Sequence, residues 1–399
     1  MKSAVAISYE IDDAEIAAQE LADAIKEKLK FEENSIGVLF CDADMDSAAV
    51  TGELKKLLGF EVAGMTSLAT LDRGGRYEAA AMLTVLTSDD CLFGAAASKP
   101  LEGDGVVQEI KDTYRRIMSQ AAGQGYEKPG VMFAFCPSVA SFSGDTYSDA
   151  LAEEAPGVPI IGGAASDDYQ YTEGRTFLSG EAYNNSIVIV GVWGNVKPVF
   201  AIRHVTSPFA ERVRRITDAT GNIVRRVGDE TFIEYLKGFG FNTNVDEILL
   251  AFNANPMKLT RENEDKDEAP IMRHIVGLDH ETGAGMFGGD VPVGALGNIC
   301  LIKRDDIKTS CRESMNALLA EGAKQEGYTY STVFCVSCSG RNLILGHESD
   351  AEGAILTSLL PEGASLMGTY CYGEVGPVRY KDGVALNRFH NCSITLCMF

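Results

Sequence analysis

The sequence predicts an α/β protein: a two-domain layered fold with three helix-strand-helix-strand-hairpin repeats and an antiparallel insertion between repeats two and three. Two observations carry that expectation. Short continuous apolar runs of strand type alternate with amphipathic stretches at helical spacing, and the same order of elements recurs three times along the chain. Length agrees, because 399 residues at about 150 per domain make two or three units, each able to bury a core.

The first repeat opens with Ile16, Leu21, Ile25 and Leu29 at helical spacing, followed by the apolar run Ile36 to Cys41. Leu54, Leu57 and Leu58 mark the inner face of a second helix, Phe60 to Ser67 reads as a strand, and Ala79 to Thr87 as the return strand. The second repeat places Val107, Ile110, Tyr114, Ile117 and Ala121 on one helix face, then Val131 to Cys136 as a strand and a helix opened by Asp145. Its strand PIIGGAAS follows, and Ser186 to Trp193 returns after a turn at Asn184 and Asn185. The third uses Ile307, Cys311, Leu318 and Leu319, the strand Ser331 to Cys338, a helix capped at Asp350 with Ile355, Leu359 and Leu360 inward, and then ASLMGTYCYGE; NCSITLCMF follows. From the strand-ending Cys to the Gly of the next strand the spacing is 23 (Cys41 to Gly64), 26 (Cys136 to Gly162) and 30 residues (Cys338 to Gly368).

Between repeats two and three, VFAIRHVT, RVRRITDA and NIVRRVG alternate as half-exposed antiparallel strands do, with a hairpin turn at Thr220, Gly221 and Asn222. A short helix, Thr231 to Lys237, a strand, Glu247 to Phe252, a charged solvated loop, Thr260 to Pro270, and a Gly-rich hairpin region, Gly277 to Gly297, complete the insertion. The boundary near Lys197 to Pro208 divides the chain into residues 1–198 and 199–399.

Composition narrows the partners. With 45% hydrophobic and 23% charged residues the chain is globular, and its formal charge of -22 repels phosphate backbones and anionic lipid. Neither nucleic acid nor a membrane is an expected partner. No run approaches the roughly 18 apolar residues of a membrane span, and the opening MKSAVAISYEIDD turns acidic before a signal-peptide core forms, so a cytoplasmic location is expected. Ten cysteines, several inside apolar strands, read as reduced core residues.

Ligands of α/β sheets gather beyond the carboxyl ends of strands. Those ends here are Asp42 to Asp46, Ser138 to Asp145, Gly163 to Asp168, Ser337 to Arg341 and Tyr370 to Pro377. Arg341, just past a buried strand, can hold a carboxylate bidentately or pair with an internal acid, for which Glu374 is the obvious candidate. Tyr370 and Tyr372 flank that acid among turn glycines. GGAASDD (Gly162 to Asp168) lacks Lys and GxGxxG spacing, so Ser166 and Asp167 fit a neutral or amine-bearing ligand better than a phosphate. His390, before the last strand, is a further contact or a hydrogen-bonded edge residue. Cys335 and Cys338 form a CxxC on a strand, which turns the two thiols to opposite faces and disfavours redox chemistry. No second CxxC or HxxxH stands at zinc-ligand spacing, and no cofactor is expected. His347, Cys338 and Asp350 offer the parts of an acyl-transfer site without a diagnostic spacing.

In these residues the sequence resembles FIST proteins (F-box and intracellular signal transduction). EVAGMTS and PIIGGAASDD are similar to the FIST amino-terminal domain, taken over residues 1–198. TDATGNIVRRVGDETFIEYL, CSGR (Cys338 to Arg341), GEVGP (Gly373 to Pro377) and HNCSITL (His390 to Leu396) are similar to the carboxyl-terminal domain, residues 199–399. The first repeat departs from the pattern at MTSLATLD, which weakens its claim to a site. The resemblance implies a stand-alone sensory module, with no output domain fused to it. It would bind a small ligand, an amino acid or similar metabolite, between the two domains and pass the signal to a separate protein such as a kinase or chemotaxis component. The ligand-binding residues expected on this reading are Ser166, Asp167, Arg341, Tyr370, Tyr372, Glu374 and His390. Arg341 would hold a carboxylate or position Glu374, and Glu374 and Asp167 would accept from an amine. Some relatives bind haem and sense nitric oxide, but no haem-ligating His can be matched here. The competing readings are a hydrolase or transferase using Cys338 or Glu374, a haem-based gas sensor, and an interaction scaffold.

Overall fold

The structure is a computed structural model that describes residues 1–138, 143–172, 174–245, 248–261 and 270–399, without the side chains at 249 and 250. Residues 139–142 of the Ser138 to Asp145 segment and 262–269 of the charged loop therefore lie outside the described residues. The chain is a mixed α/β fold of two domains, built from several mixed sheets.

Three six-stranded sheets share one construction. Each centres on a parallel pair: Asn34–Cys41 with Val62–Thr66, Val131–Cys136 with Ile160–Ala164, and Thr332–Cys338 with Ser365–Cys371. Val, Ile, Phe and Cys dominate these strands because both faces of each sheet are covered. Helices Ala14–Lys28 and Ser47–Leu58 cover the first, Val106–Gln120 and Asp145–Glu154 the second, and Arg304–Gly322 and Ala351–Leu359 the third. The first of these helices starts where Asp13 caps the backbone N–H groups of Glu15 and Ile16, and the second ends on Gly59 at φ 83°, a left-handed conformation that favours glycine. Beside the first strand of each pair runs an antiparallel return strand: Ala81–Ser88, Val188–Gly194 or Ser393–Met398.

The second strand of each pair is completed by a hairpin from elsewhere in the chain. Val62–Thr66 takes Thr176–Leu178, Ile160–Ala164 takes Glu374–Lys381, and Ser365–Cys371 takes Thr70–Asp72. The three pairs thus exchange hairpins in a closed cycle, and no sheet is complete without a segment far away in sequence. Glycine permits a close approach at one position of each pair, to the partner strand at Gly64 and Gly162 and to the Leu71 side chain of the docked hairpin at Gly368. Gly64 lies opposite Leu39, Gly162 opposite Ala134, and Gly368 opposite Cys335. Inner faces of the sheets meet in one core, where Phe40, Phe133, Phe135, Phe334 and Phe399 pack with ring centroids 5.4–5.8 Å apart. Burying each of these rings contributes roughly 1.5–3 kcal/mol.

The insertion is a separate antiparallel sheet that includes Arg214–Thr220, Ile223–Val227, Met257–Thr260 and Leu296–Ile299 around a core of Phe232, Tyr235, Phe252 and Phe287. Two elements differ from the sequence reading. Of the run expected as a strand over Glu247 to Phe252, Glu247 lies outside the described residues and the rest is in a helix, Ile248–Ala254, since a short apolar run is as compatible with a buried helix as with a strand. The strand Val199–His204 leaves the insertion and pairs with Ser393–Met398 at the edge of the third sheet. No helix among the described residues is long and apolar enough to cross a membrane.

Candidate functional site

The hairpin cycle brings the carboxyl ends of the three parallel pairs together, and backbone bonds stitch them. Ser166 N–H donates to Thr66 O (3.1 Å), Tyr372 N–H to Ala164 O (3.0 Å) and Tyr370 N–H to Ala69 O (3.0 Å). Ser166 is the hub. Its hydroxyl donates to Tyr370 O at 2.8 Å and accepts from Leu68 N–H at 2.8 Å, so it ties all three ends while fully buried.

Above this junction lies a cleft of about 550 Å³ lined by five carboxylates, Asp42, Asp44, Glu78, Asp167 and Asp168, and by no Lys or Arg among the described residues. Asp167 organises its far wall. Its carboxylate accepts from Tyr372 Oη–H (2.6 Å), Tyr171 N–H (2.8 Å) and Thr172 N–H (2.6 Å), and the Tyr171 and Tyr372 rings stack 4.1 Å apart. Asp168, Tyr169 and Tyr171 all adopt positive φ (34°, 61° and 57°). Each such residue costs of order 1–3 kcal/mol unless its surroundings impose the conformation, and the Asp167 bonds supply that constraint.

The remaining expected residues are placed elsewhere. Arg341 is fully buried and does not pair with Glu374. Its Nε and Nη2 donate to Glu352 Oε1 at 3.1 and 2.7 Å, and Nη2 also to Ser310 Oγ at 3.1 Å. The cause is local: helix Ser339–Leu345 begins at the strand end, which sends Arg341 in its first turn back toward helix Ala351–Leu359. Tyr370 Oη and Ser337 Oγ donate to the other oxygen of Glu352, at 3.1 and 3.0 Å. Glu374 accepts instead from Ser393 N–H (3.0 Å) and Oγ–H (2.6 Å), and burial pushes its carboxyl well above the usual carboxylate range. His390 Nε2 lies 3.3 Å from Gly376 O, with its ring 5.2 Å from that of His204. So Ser166, Asp167, Tyr370 and Tyr372 come together, Asp167 alone of the seven lines the cleft, and Arg341, Glu374 and His390 stand in the interior.

Sequence reasoning missed Glu352 and Glu78. Glu352 carried a signal, because it lies three residues before the inward Ile355 and hence on the same buried stripe. It also missed the buried pair Arg273–Asp145, joined by two bonds of 2.7 and 2.9 Å. That pair links distant segments and leaves no local trace.

Titration of the interior has a defined sign. Burial lowers His274 to about 4 and His390 to about 3, from 6.5. The unfolded chain therefore binds protons first, so these rings contribute fully above about pH 6.5 and their contribution is lost as pH falls through their folded values. Urea midpoints should drop between pH 7 and pH 4.5, and His390→Gln should flatten that drop; a steeper one would contradict it. Glu374 acts oppositely, stabilising below about pH 4.5 and losing that contribution as pH rises through its raised value.

All ten cysteines are free and buried. Contact with Cys392, and then burial, raise the Cys338 thiol well above its usual range, and His347 is an exposed side chain 4.0 Å from Glu348. A thiol so placed is a poor nucleophile. Ellman's reagent is expected to find no fast thiol in the native protein and ten after denaturation; one fast native thiol would overturn this. No cluster of three or more His, Cys, Asp or Glu able to hold a metal ion occurs among the described residues.

A family model described as FIST N domain matches residues 35–230, and one described as FIST C domain matches residues 230–377. No curated protein matches the chain. Among solved structures, a chorismatase shares 9% identity at a TM-score of 0.38, over 99% of this chain and 98% of that one. A cyanuric acid hydrolase from A. caulinodans gives the same four values, 9%, 0.38, 99% and 98%.

Proposed function

This chain belongs to the FIST family, and on that premise we propose that it is a sensory module whose ligand is a small organic cation held in the acidic cleft. FIST domains are sensory modules, and the chain carries both. The observation that supports this ligand is the charge of the cleft: five carboxylates, of which Glu78 is paired with Arg76 behind it, and no Lys or Arg among the described residues line about 550 Å³, a volume within the roughly 300–1,000 Å³ of small-molecule sites. A diamine, a polyamine or a basic amino acid matches that field, and a dicarboxylate opposes it. The carboxylate clamp expected of Arg341 drops out of this reading, because Glu352 already occupies that guanidinium. Ser166, Tyr370 and Tyr372 act as the frame that holds Asp167 and its loop. The three strand pairs are read as three repeats, supported by the matched positions of Gly64, Gly162 and Gly368. The cleft lies between the first two of them, within residues 42–172. Output passes to a separate cytoplasmic signalling protein.

A thermal-shift panel of putrescine, spermidine, arginine and lysine against glutamate and succinate tests the ligand class. At a hundredfold excess over Kd, a ligand adds about 2.7 kcal/mol of stability, a rise of several degrees. The cations should give that rise and the two dicarboxylates none. A shift with glutamate or succinate alone would remove the assignment.

A further inference from the structure

A second cleft, of about 1140 Å³, lies on a different face and has the opposite charge. Six consecutive residues of one strand, Val199–His204, line it. Side chains on a strand alternate between faces, so a run of six neighbours can border one cavity only if the strand turns its edge toward it. Among the described strands this one is the last in its sheet: it pairs with Ser393–Met398 on one side and with no strand on the other. The Ile202 carbonyl receives the guanidinium of Arg203 at 2.9 Å. Facing it across the cleft is the segment 377–383, with Phe200 and Tyr380 in edge-on contact (5.1 Å) as an apolar patch on the wall.

The charge here runs against that of the whole molecule. Six cationic side chains and two acidic ones line the cleft in a chain whose net charge is -22. One acid, Glu321, is already bonded to Lys324 at 2.6 Å. Lys128, Lys197, Arg203 and Lys381 are exposed.

We propose that this cleft is a strand-addition site for an extended acidic segment of a partner protein. The partner's backbone would pair with the open edge of Val199–His204, and its alternate carboxylates would meet Lys197, Arg203 and Lys381. Main-chain pairing gives such a site its affinity, and the flanking side chains select the sequence. Charged residues on an edge also guard against unwanted pairing. What favours a partner here is that the edge is sunk in a cleft whose lining is mainly cationic and carries an apolar patch. The site is independent of the amine cleft, so either reading can fail alone.

The test is fluorescence anisotropy with a labelled nonapeptide of alternating Glu and Val. The full-length protein should bind it saturably, and a Lys-Val peptide at least tenfold more weakly. Methylating alternate peptide nitrogens keeps every charge but removes the ladder donors, and it should also weaken binding at least tenfold. The double variant Lys197→Glu, Lys381→Glu should lose binding while keeping the wild-type melting curve; should it melt early, Lys197→Gln, Lys381→Gln replaces it. Equal binding of the methylated peptide would mean ionic adhesion alone and would overturn the proposal. So would equal binding of the Lys-Val peptide, unchanged affinity in the folded variant, or no binding at millimolar peptide.

Discussion

Gly162→Ala is expected to cost about 3 kcal/mol or more, at or beyond the upper end of usual overpacking penalties, and to leave little soluble protein. A Cβ at this position would stand 1.8 Å from the Ala134 carbonyl oxygen, and one at Gly64 equally close, 1.8 Å, to the Leu39 carbonyl. No rotamer relieves a clash with backbone, so the two strands of the pair must separate, and their hydrogen bonds go with them. At Gly368 the nearest atom is the Leu71 Cβ at 2.7 Å, on a three-residue hairpin strand that can shift. Gly368→Ala is therefore expected to cost less, about 1–2 kcal/mol. Urea midpoints of the three variants check the ranking. A wild-type midpoint for Gly162→Ala would show that close approach of the strands is not required.

Glu352→Gln is expected to destabilise the fold by about 3–5 kcal/mol, the usual consequence of leaving one charge of a buried pair without its partner. Both side chains are 0% exposed, and the carboxylate also receives Ser337 and Tyr370, so the amide cannot satisfy every donor. Replacing both partners at once, Arg341→Met with Glu352→Leu, should recover most of the loss, because the desolvation of the two charges disappears with them. Chemical denaturation of the single and double variants measures this directly. The same single variant separates two views of Arg341. If the guanidinium served a ligand carboxylate, freeing it would strengthen binding of glutamate or succinate; the buried-pair account predicts no such gain.

Much of this architecture is legible in the sequence, and what is not has physical reasons. The parallel pairs show because strands covered on both faces must be apolar throughout, and Gly64, Gly162 and Gly368 mark them. The hairpin exchange does not show. Thr176–Leu178 joins Val62–Thr66, and Glu374–Lys381 joins Ile160–Ala164, across more than a hundred residues, and three-residue edge segments such as Thr70–Asp72 have no periodicity to read. In the site, Asp167 and the Asp42 to Asp46 loop could be found from their position after strand ends. Glu78 follows a hairpin strand, Gly75–Tyr77, that docks on the third sheet, so its approach to Asp167 follows from the exchange alone. The internal acid that pairs with Arg341 is Glu352 in place of Glu374 for a related reason. A guanidinium just past a strand end looks available until the helix after it turns the side chain inward onto Glu352.

Calorimetric titration with spermidine probes the acidic cleft most directly, using the wild-type chain and the variant Asp44→Asn, Asp168→Asn. Both substituted side chains are exposed, and asparagine tolerates the positive φ of residue 168, so the fold should be unchanged. The account predicts a single saturable site in the wild type and at least tenfold weaker binding in the variant. Equal affinity in the two proteins, or no heat with spermidine, putrescine, arginine or lysine, would contradict it.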